Sequence, residues 1–293
     1  MTVSGKAVSF YQDDGYRISG DLYTSGEKPT LGVIFCHGWG GTKNIVAPLL
    51  AGEIVTRTGA AALVFDYSGW GESEGPRGRL DPWREVRDIS AAVSFLLTEY
   101  PELEGRVGLY GFSFGGAIST YAASIDDRVG ALVAIASFSN GNTLMREQRP
   151  WWEYKQFTAK IATDRLQRSI TGKSEEVDPD WILRRDPDAM AFNEALRAEH
   201  PERNFMLDVA TAELICSFDV TQVAPQLVGR PSLFIHCSED LLNPPWHSLE
   251  LARLSGGTAE IIEGLGHYDI YAGFGLDAVS TLAANHLQGL ANA

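Results

Sequence analysis

Short, uniformly apolar runs that alternate with helix-like stretches constrain this chain more than any other feature. Residues 31–36, 61–65, 107–110 and 131–136 are apolar without polar interruption, as strands buried on both faces are. Between them, residues 45–58 read as a helix. Pro82 opens another, with Asp81 as its N-cap and Val86, Ile89, Val93 and Leu96 on one face. Repeated strand–helix–strand crossover demands a parallel sheet covered by helices on both faces. Residues 8–11 and 16–23, around Asp13-Asp14-Gly15, read as an edge hairpin. The alternation then stops. Across residues 138–228 no short β-run is expected, and Trp151, Trp152, Tyr154, Phe157, Trp181, Phe192, Phe205 and Phe218 accumulate. Val177-Asp178-Pro179 and Asp186-Pro187 read there as helix-breaking. The pattern resumes with strands at 232–237 and 259–262 and helices at 246–254 and 276–290. The expected organisation is an α/β core of residues 1–137 and 229–293, with residues 138–228 inserted as a mostly helical lid.

Chemistry enters at Gly111-Phe112-Ser113-Phe114-Gly115, between the strand at 107–110 and a helix-like run from Gly116 to Ala123. A serine flanked in this way sits on a sharp strand-to-helix turn with its hydroxyl clear of the sheet. Side chains at the flanking glycine positions would collide with nearby backbone. A neutral hydroxyl needs a base, and the base needs an orienting acid. His267, in Gly264-Leu265-Gly266-His267, follows the last strand-like run and is the expected base. His37 is expected to fix backbone, His236 to face the core, and His247 to start a surface helix, while His200 lies in the lid and His286 in the last helix. The acid is expected in Ser238-Glu239-Asp240, with Asp240 ahead of Glu239 and with Asp219 as a third candidate. The backbone N–H of Phe114, at a helix N-terminus, is a natural oxyanion donor. Trp39 N–H in His37-Gly38-Trp39-Gly40-Gly41 is the expected second donor.

Composition narrows the class. Net charge is −14 with no cluster of Lys and Arg, which argues against nucleic acid as a partner. The three cysteines, Cys36, Cys216 and Cys237, have neither disulfide nor zinc spacing. No apolar run reaches membrane-spanning length, and the first residues lack a signal-peptide core, so a soluble cytoplasmic protein without membrane partners is expected. The glycine runs lack dinucleotide spacing and a Walker lysine.

Taken together, the His37–Gly41 loop, the Gly111–Gly115 turn, Ser238-Glu239-Asp240 and Gly266-His267 resemble the α/β-hydrolase superfamily. Asp66-Tyr67-Ser68-Gly69-Trp70-Gly71-Glu72-Ser73-Glu74-Gly75 resembles the loop after that family's fourth strand. The similarity is to the acyl-esterase, dienelactone-hydrolase-like and X-prolyl-peptidase-like branches, although dienelactone hydrolases carry cysteine where this chain has Ser113. The resemblance implies a mostly parallel eight-stranded sheet, with no cofactor and no metal. It implies hydrolysis, through an acyl-enzyme, of a carboxylic ester or related acyl bond in a small to medium hydrophobic substrate. Thioester, lactone, amide and carbon–carbon hydrolysis and acyl transfer use the same machinery. A non-catalytic binding homologue is the contrasting class. Assembly as a homodimer is compatible with the sequence.

Overall fold

A computed structural model describes residues 3–26, 28–183 and 186–291. In chain order its elements are β1 (Ser4–Tyr11), β2 (Arg17–Thr24), β3 (Gly32–Cys36), α1 (Ala47–Thr58), β4 (Ala61–Phe65), α2 (Pro82–Glu99), β5 (Val107–Phe112), α3 (Phe114–Ile125) and β6 (Val129–Ile135). There follow α4 (Gly141–Glu147), α5 (Trp151–Thr171), β7 (Glu176–Val177), α6 (Pro179–Ile182), α7 (Pro187–Glu199), β8 (Leu207–Asp208) and α8 (Val209–Ser217). The chain closes with β9 (Ser232–Cys237), α9 (Trp246–Ser255), β10 (Thr258–Ile262) and α10 (Gly273–Ala291).

Eight strands form one sheet in the order β1-β2-β4-β3-β5-β6-β9-β10. β1 and β2 form the expected edge hairpin and β2 meets β4 antiparallel, while every pairing from β4 to β10 is parallel. The alternation of side chains along each strand divides the core into two layers. Ile34, Leu63, Phe65 and Leu109 pack with α2 residues Val86, Ile89, Val93 and Leu96 and with Ile118 of α3. Val33, Phe35, Val64 and Tyr110 pack on the opposite face with Leu50 and Ile54 of α1 and Ala283 and Leu287 of α10. Asp81 caps α2 by accepting from Trp83 and Arg84 N–H, which satisfies two of the first-turn donors.

From β3 the chain steps outward to β4, and from β5 it steps the other way to β6. The carboxyl ends of β3 and β5 therefore flank the point where the winding reverses, the place where open α/β sheets leave a crevice.

Residues between β6 and β9 differ from expectation in two details. β7 and β8 pair antiparallel, Glu176 with Asp208 and Val177 with Leu207. A two-residue strand carries no periodicity to read. The Asp-Pro pairs start helices rather than breaking them. Asp178 accepts from Asp180 N–H at the start of α6, and Asp186 accepts from Asp188 and Ala189 N–H at the start of α7. Proline at the first helical position loses no intrahelical bond. The segment leaves and rejoins the core at one point: Gly141 N–H donates to Phe218 O and Val220 N–H to Ser139 O, across the Asn140–Asp219 bridge.

Candidate active site

Ser113 lies between β5 and α3 with φ 54° and ψ −119°, a conformation that L-residues rarely adopt. Its neighbours make the bend feasible. A Cβ on Gly115 would overlap the Cys36 carbonyl, and one on Gly111 would overlap Ser119 Oγ and the Gly115 carbonyl. The turn is thus pressed against the end of β3, and Ser113 Oγ emerges at the winding reversal.

Ser113 Oγ lies 2.9 Å from His267 Nε2, and His267 Nδ1 lies 2.6 Å from Asp240 Oδ2. All three side chains are buried. Asp240 Oδ1 accepts from the N–H groups of Leu242 and Asn243 at 2.9 and 2.8 Å, fixing the carboxylate plane. Burial pushes the Asp240 pKa up, but the charge of His267 and hydrogen bonds from His236 and His267 outweigh it and hold the group well below the carboxylate range. An ionised Asp240 accepts, so His267 carries its proton on Nδ1 and offers the Nε2 lone pair to the Ser113 hydroxyl.

The other candidates are engaged elsewhere. Glu239 is exposed, with its N–H donating to Leu265 O. The Asp219 carboxylate accepts from Thr221 N–H, Thr221 Oγ and Gln222. His37 Nδ1 bonds the Gly38 carbonyl at 3.2 Å, and burial lowers its pKa to about 4. His247, expected at the surface, is buried beside Ser139, 2.8 Å from its Oγ. Its pKa falls to about 3 through burial. His236 faces the core as expected, yet it also reaches the acid. Its Nε2 lies 2.7 Å from Asn243 O and 3.2 Å from Asp240 Oδ2, while Nδ1 meets Ser248 Oγ at 2.7 Å. Nothing local in a strand interior signals such a contact. Asn243, which donates Nδ2–H to Ala136 O at 2.7 Å, is a second residue that sequence reasoning missed.

Phe114 is the first residue of α3, so its N–H has no intrahelical acceptor. Trp39 is a central residue of a turn closed by Gly41 N–H donating to Gly38 O at 3.0 Å. A Cβ on Gly38 would lie 3.3 Å from Ser113 Cβ, so this loop runs alongside the hydroxyl. The 66–75 loop braces it from behind, where the Asp66 carboxylate accepts from Lys43 and Glu72 N–H at 2.7 and 2.8 Å.

A cavity of about 700 Å³, mouth included, opens onto Ser113. Its walls include Ile45, Val46 and Leu50 from the segment around α1 and Leu183, Phe192, Leu196 and Arg203 from the segment between β6 and β9. Of the aromatics between 138 and 228, Phe192 lines this cavity. Trp151 and Trp152 are 56% and 62% exposed, and Phe218 is fully buried. Among the described residues no group of three or more His, Cys, Asp and Glu side chains is arranged to hold a metal ion. No helix among them is long and apolar enough to cross a membrane.

A sequence model described as "Alpha/beta hydrolase family" matches residues 33–277. An uncharacterized 31.7 kDa protein of Escherichia coli from the traX-finO intergenic region is 30% identical over 253 residues, 85% of this chain and 87% of that protein. The thiohydrolase aneE of Aspergillus aculeatus is 36% identical over 130 residues, 44% of this chain and 40% of that protein. The crystal structure of the alpha/beta hydrolase GrgF from Penicillium sp. sh18 superimposes with a TM-score of 0.80 at 20% identity, covering 100% of both chains.

Proposed function

Because the chain belongs to the alpha/beta hydrolase family, we propose that it is a serine hydrolase that cleaves an ester or thioester of a small to medium hydrophobic acyl group. The unbroken hydrogen-bonded line from Ser113 through His267 to Asp240 carries this reading. In it, Ser113 Oγ attacks the acyl carbon while its proton passes to His267 Nε2. The negative charge that develops on the carbonyl oxygen meets the N–H groups of Trp39 and Phe114. Collapse breaks the bond to the leaving oxygen or sulfur, which takes the proton from His267. Water then adds to the acyl-enzyme with His267 again as base, releasing the acid and restoring the Ser113 hydroxyl. Asp240 stabilises the imidazolium in both halves. Residues 138–228 act as a lid, a role supported by the cavity walls contributed by Leu183, Phe192, Leu196 and Arg203.

The thioester arm is favoured by the relative named a thiohydrolase. One experiment separates the arms: p-nitrophenyl esters and N-acetylcysteamine thioesters of graded acyl length, with wild type and Ser113→Ala. The reading expects turnover that falls by about 10⁴-fold or more in Ser113→Ala. Equal rates for the two proteins on every substrate would overturn it.

A further inference from the structure

We propose that Arg203 binds an oxygen atom on the acyl chain itself, so that the pocket selects oxo-acyl substrates over plain alkanoyl ones; the substrate class rests on the hydrolase reading above. Arg203 ends the short turn Pro201–Arg203 and lines the same cavity as Ser113 while being only 7% exposed. Its guanidinium is held by two neutral acceptors: Nη1 donates to Gly40 O at 2.9 Å and Nη2 to Asn193 Oδ1 at 3.2 Å. Asn193 is in turn fixed through its Nδ2 to Ala189 O and Tyr268 Oη. The Nε atom is buried without a partner among the described residues.

A buried guanidinium with one nitrogen wholly unpaired is costly in an apolar wall. Arg203 does not stand alone. Trp39 and Tyr110, both more than nine-tenths buried, line the same cavity, and the Trp39 indole N–H and the Tyr110 hydroxyl also lack partners among the described residues. Burial raises the Tyr110 pKa well above its ordinary value, so its proton stays on and the hydroxyl remains a donor. Three unpaired donors are therefore carried by residues that line one chamber, in which His37 Nε2 is also unpartnered and accepts, because its Nδ1–H donates to Gly38 O. A hydrocarbon chain would leave all three dry, and each would bear its desolvation penalty in the complex. A chain carrying a ketone oxygen supplies an acceptor, and a small shift of the guanidinium about its two Nη bonds would bring Nε–H to it.

The test compares N-acetylcysteamine thioesters of octanoate and of its mid-chain and chain-end oxo analogues, read as the ratio of kcat/KM for oxo over plain chain. In wild type the better oxo analogue is expected to lead by about tenfold or more, as a hydrogen bond to a charged donor allows. In Arg203→Met the ratio falls to about one. Arg203→Lys, which keeps the cation and removes the fork, gives an intermediate ratio and guards against a Met variant that fails to fold. A wild-type ratio near one for both oxo analogues, or a ratio that survives in Arg203→Met because both rates drop together, overturns the proposal. The second result would leave Arg203 as a brace on the Gly40 loop. If wild type releases no thiol from any substrate, the hydrolase reading fails separately. The same ratio, taken from dissociation constants in Ser113→Ala by tryptophan fluorescence, still decides the role of Arg203.

Discussion

His267 touches Ser113 through one ring nitrogen and Asp240 through the other, so the carboxylate decides which nitrogen is basic. Asp240→Asn leaves an amide that can turn its N–H₂ toward Nδ1 and invert the tautomer. Steady-state hydrolysis of a p-nitrophenyl ester should fall by about 10³- to 10⁴-fold in that variant. Because His267 and His236 hold Asp240 ionised far below the carboxylate range despite its burial, the acid limb of kcat/KM should follow one proton. A second inflection in the carboxylate range would contradict this. The glycine spacing around Ser113 and before His267 was legible because each is a local pattern. His236, Asn243 and Arg203 were not. Each acts through a hydrogen bond to a residue or carbonyl whose position only the fold decides.

Helix α2 does more than cover the sheet. Its Asp88 carboxylate accepts from both the N–H and the hydroxyl of Ser68 at 2.8 Å, pinning the 66–75 loop. Burial pushes Asp88 up to about 6, against the bonds from Ser68 that lower it. A carboxyl whose folded pKa is raised favours the folded state fully below its unfolded value near 4, and this advantage is lost as the pH rises through about 6. Between pH 5 and pH 8 the wild type should therefore lose about 1 kcal/mol more stability than Asp88→Asn. Urea unfolding at both pH values checks this, and parallel losses in the two proteins would refute it. The strands and α2 were readable from apolar runs, a 3.6-residue stripe and the Asp81 cap. The Asp-Pro starts of α6 and α7 were misread because the same dipeptide serves turns and helix N-termini alike.

Across the whole molecule, burial is unevenly shared. Every residue of β3, β4, β5 and β9 is buried. In α7 only Ala189 and Asn193 of 13 residues are buried, and in α5 only Phe157, Ile161 and Asp164 of 21. Regions with few buried apolar contacts open at lower free energy. Hydrogen exchange followed by mass spectrometry should show residues 187–199 exchanging through local opening while β3, β5 and β9 exchange only with global unfolding. Equal protection in both would rule this out. The loss of the β/α rhythm after β6 and its return at β9 were visible in the sequence. The fate of each aromatic between those points was not, because Trp151 and Phe218 look alike in sequence and end at opposite extremes of exposure.

Ser113 and His267 are 154 residues apart along the chain, with all of residues 138–228 between them, and β6 must take β9 as its neighbour before they can meet. A chain emerging from the ribosome folds from its N-terminal end. It carries the Ser113 hydroxyl without its imidazole partner until His267 has been synthesised and the last strands have joined the sheet. On the proposed mechanism, acyl chemistry is withheld from every incomplete translation product.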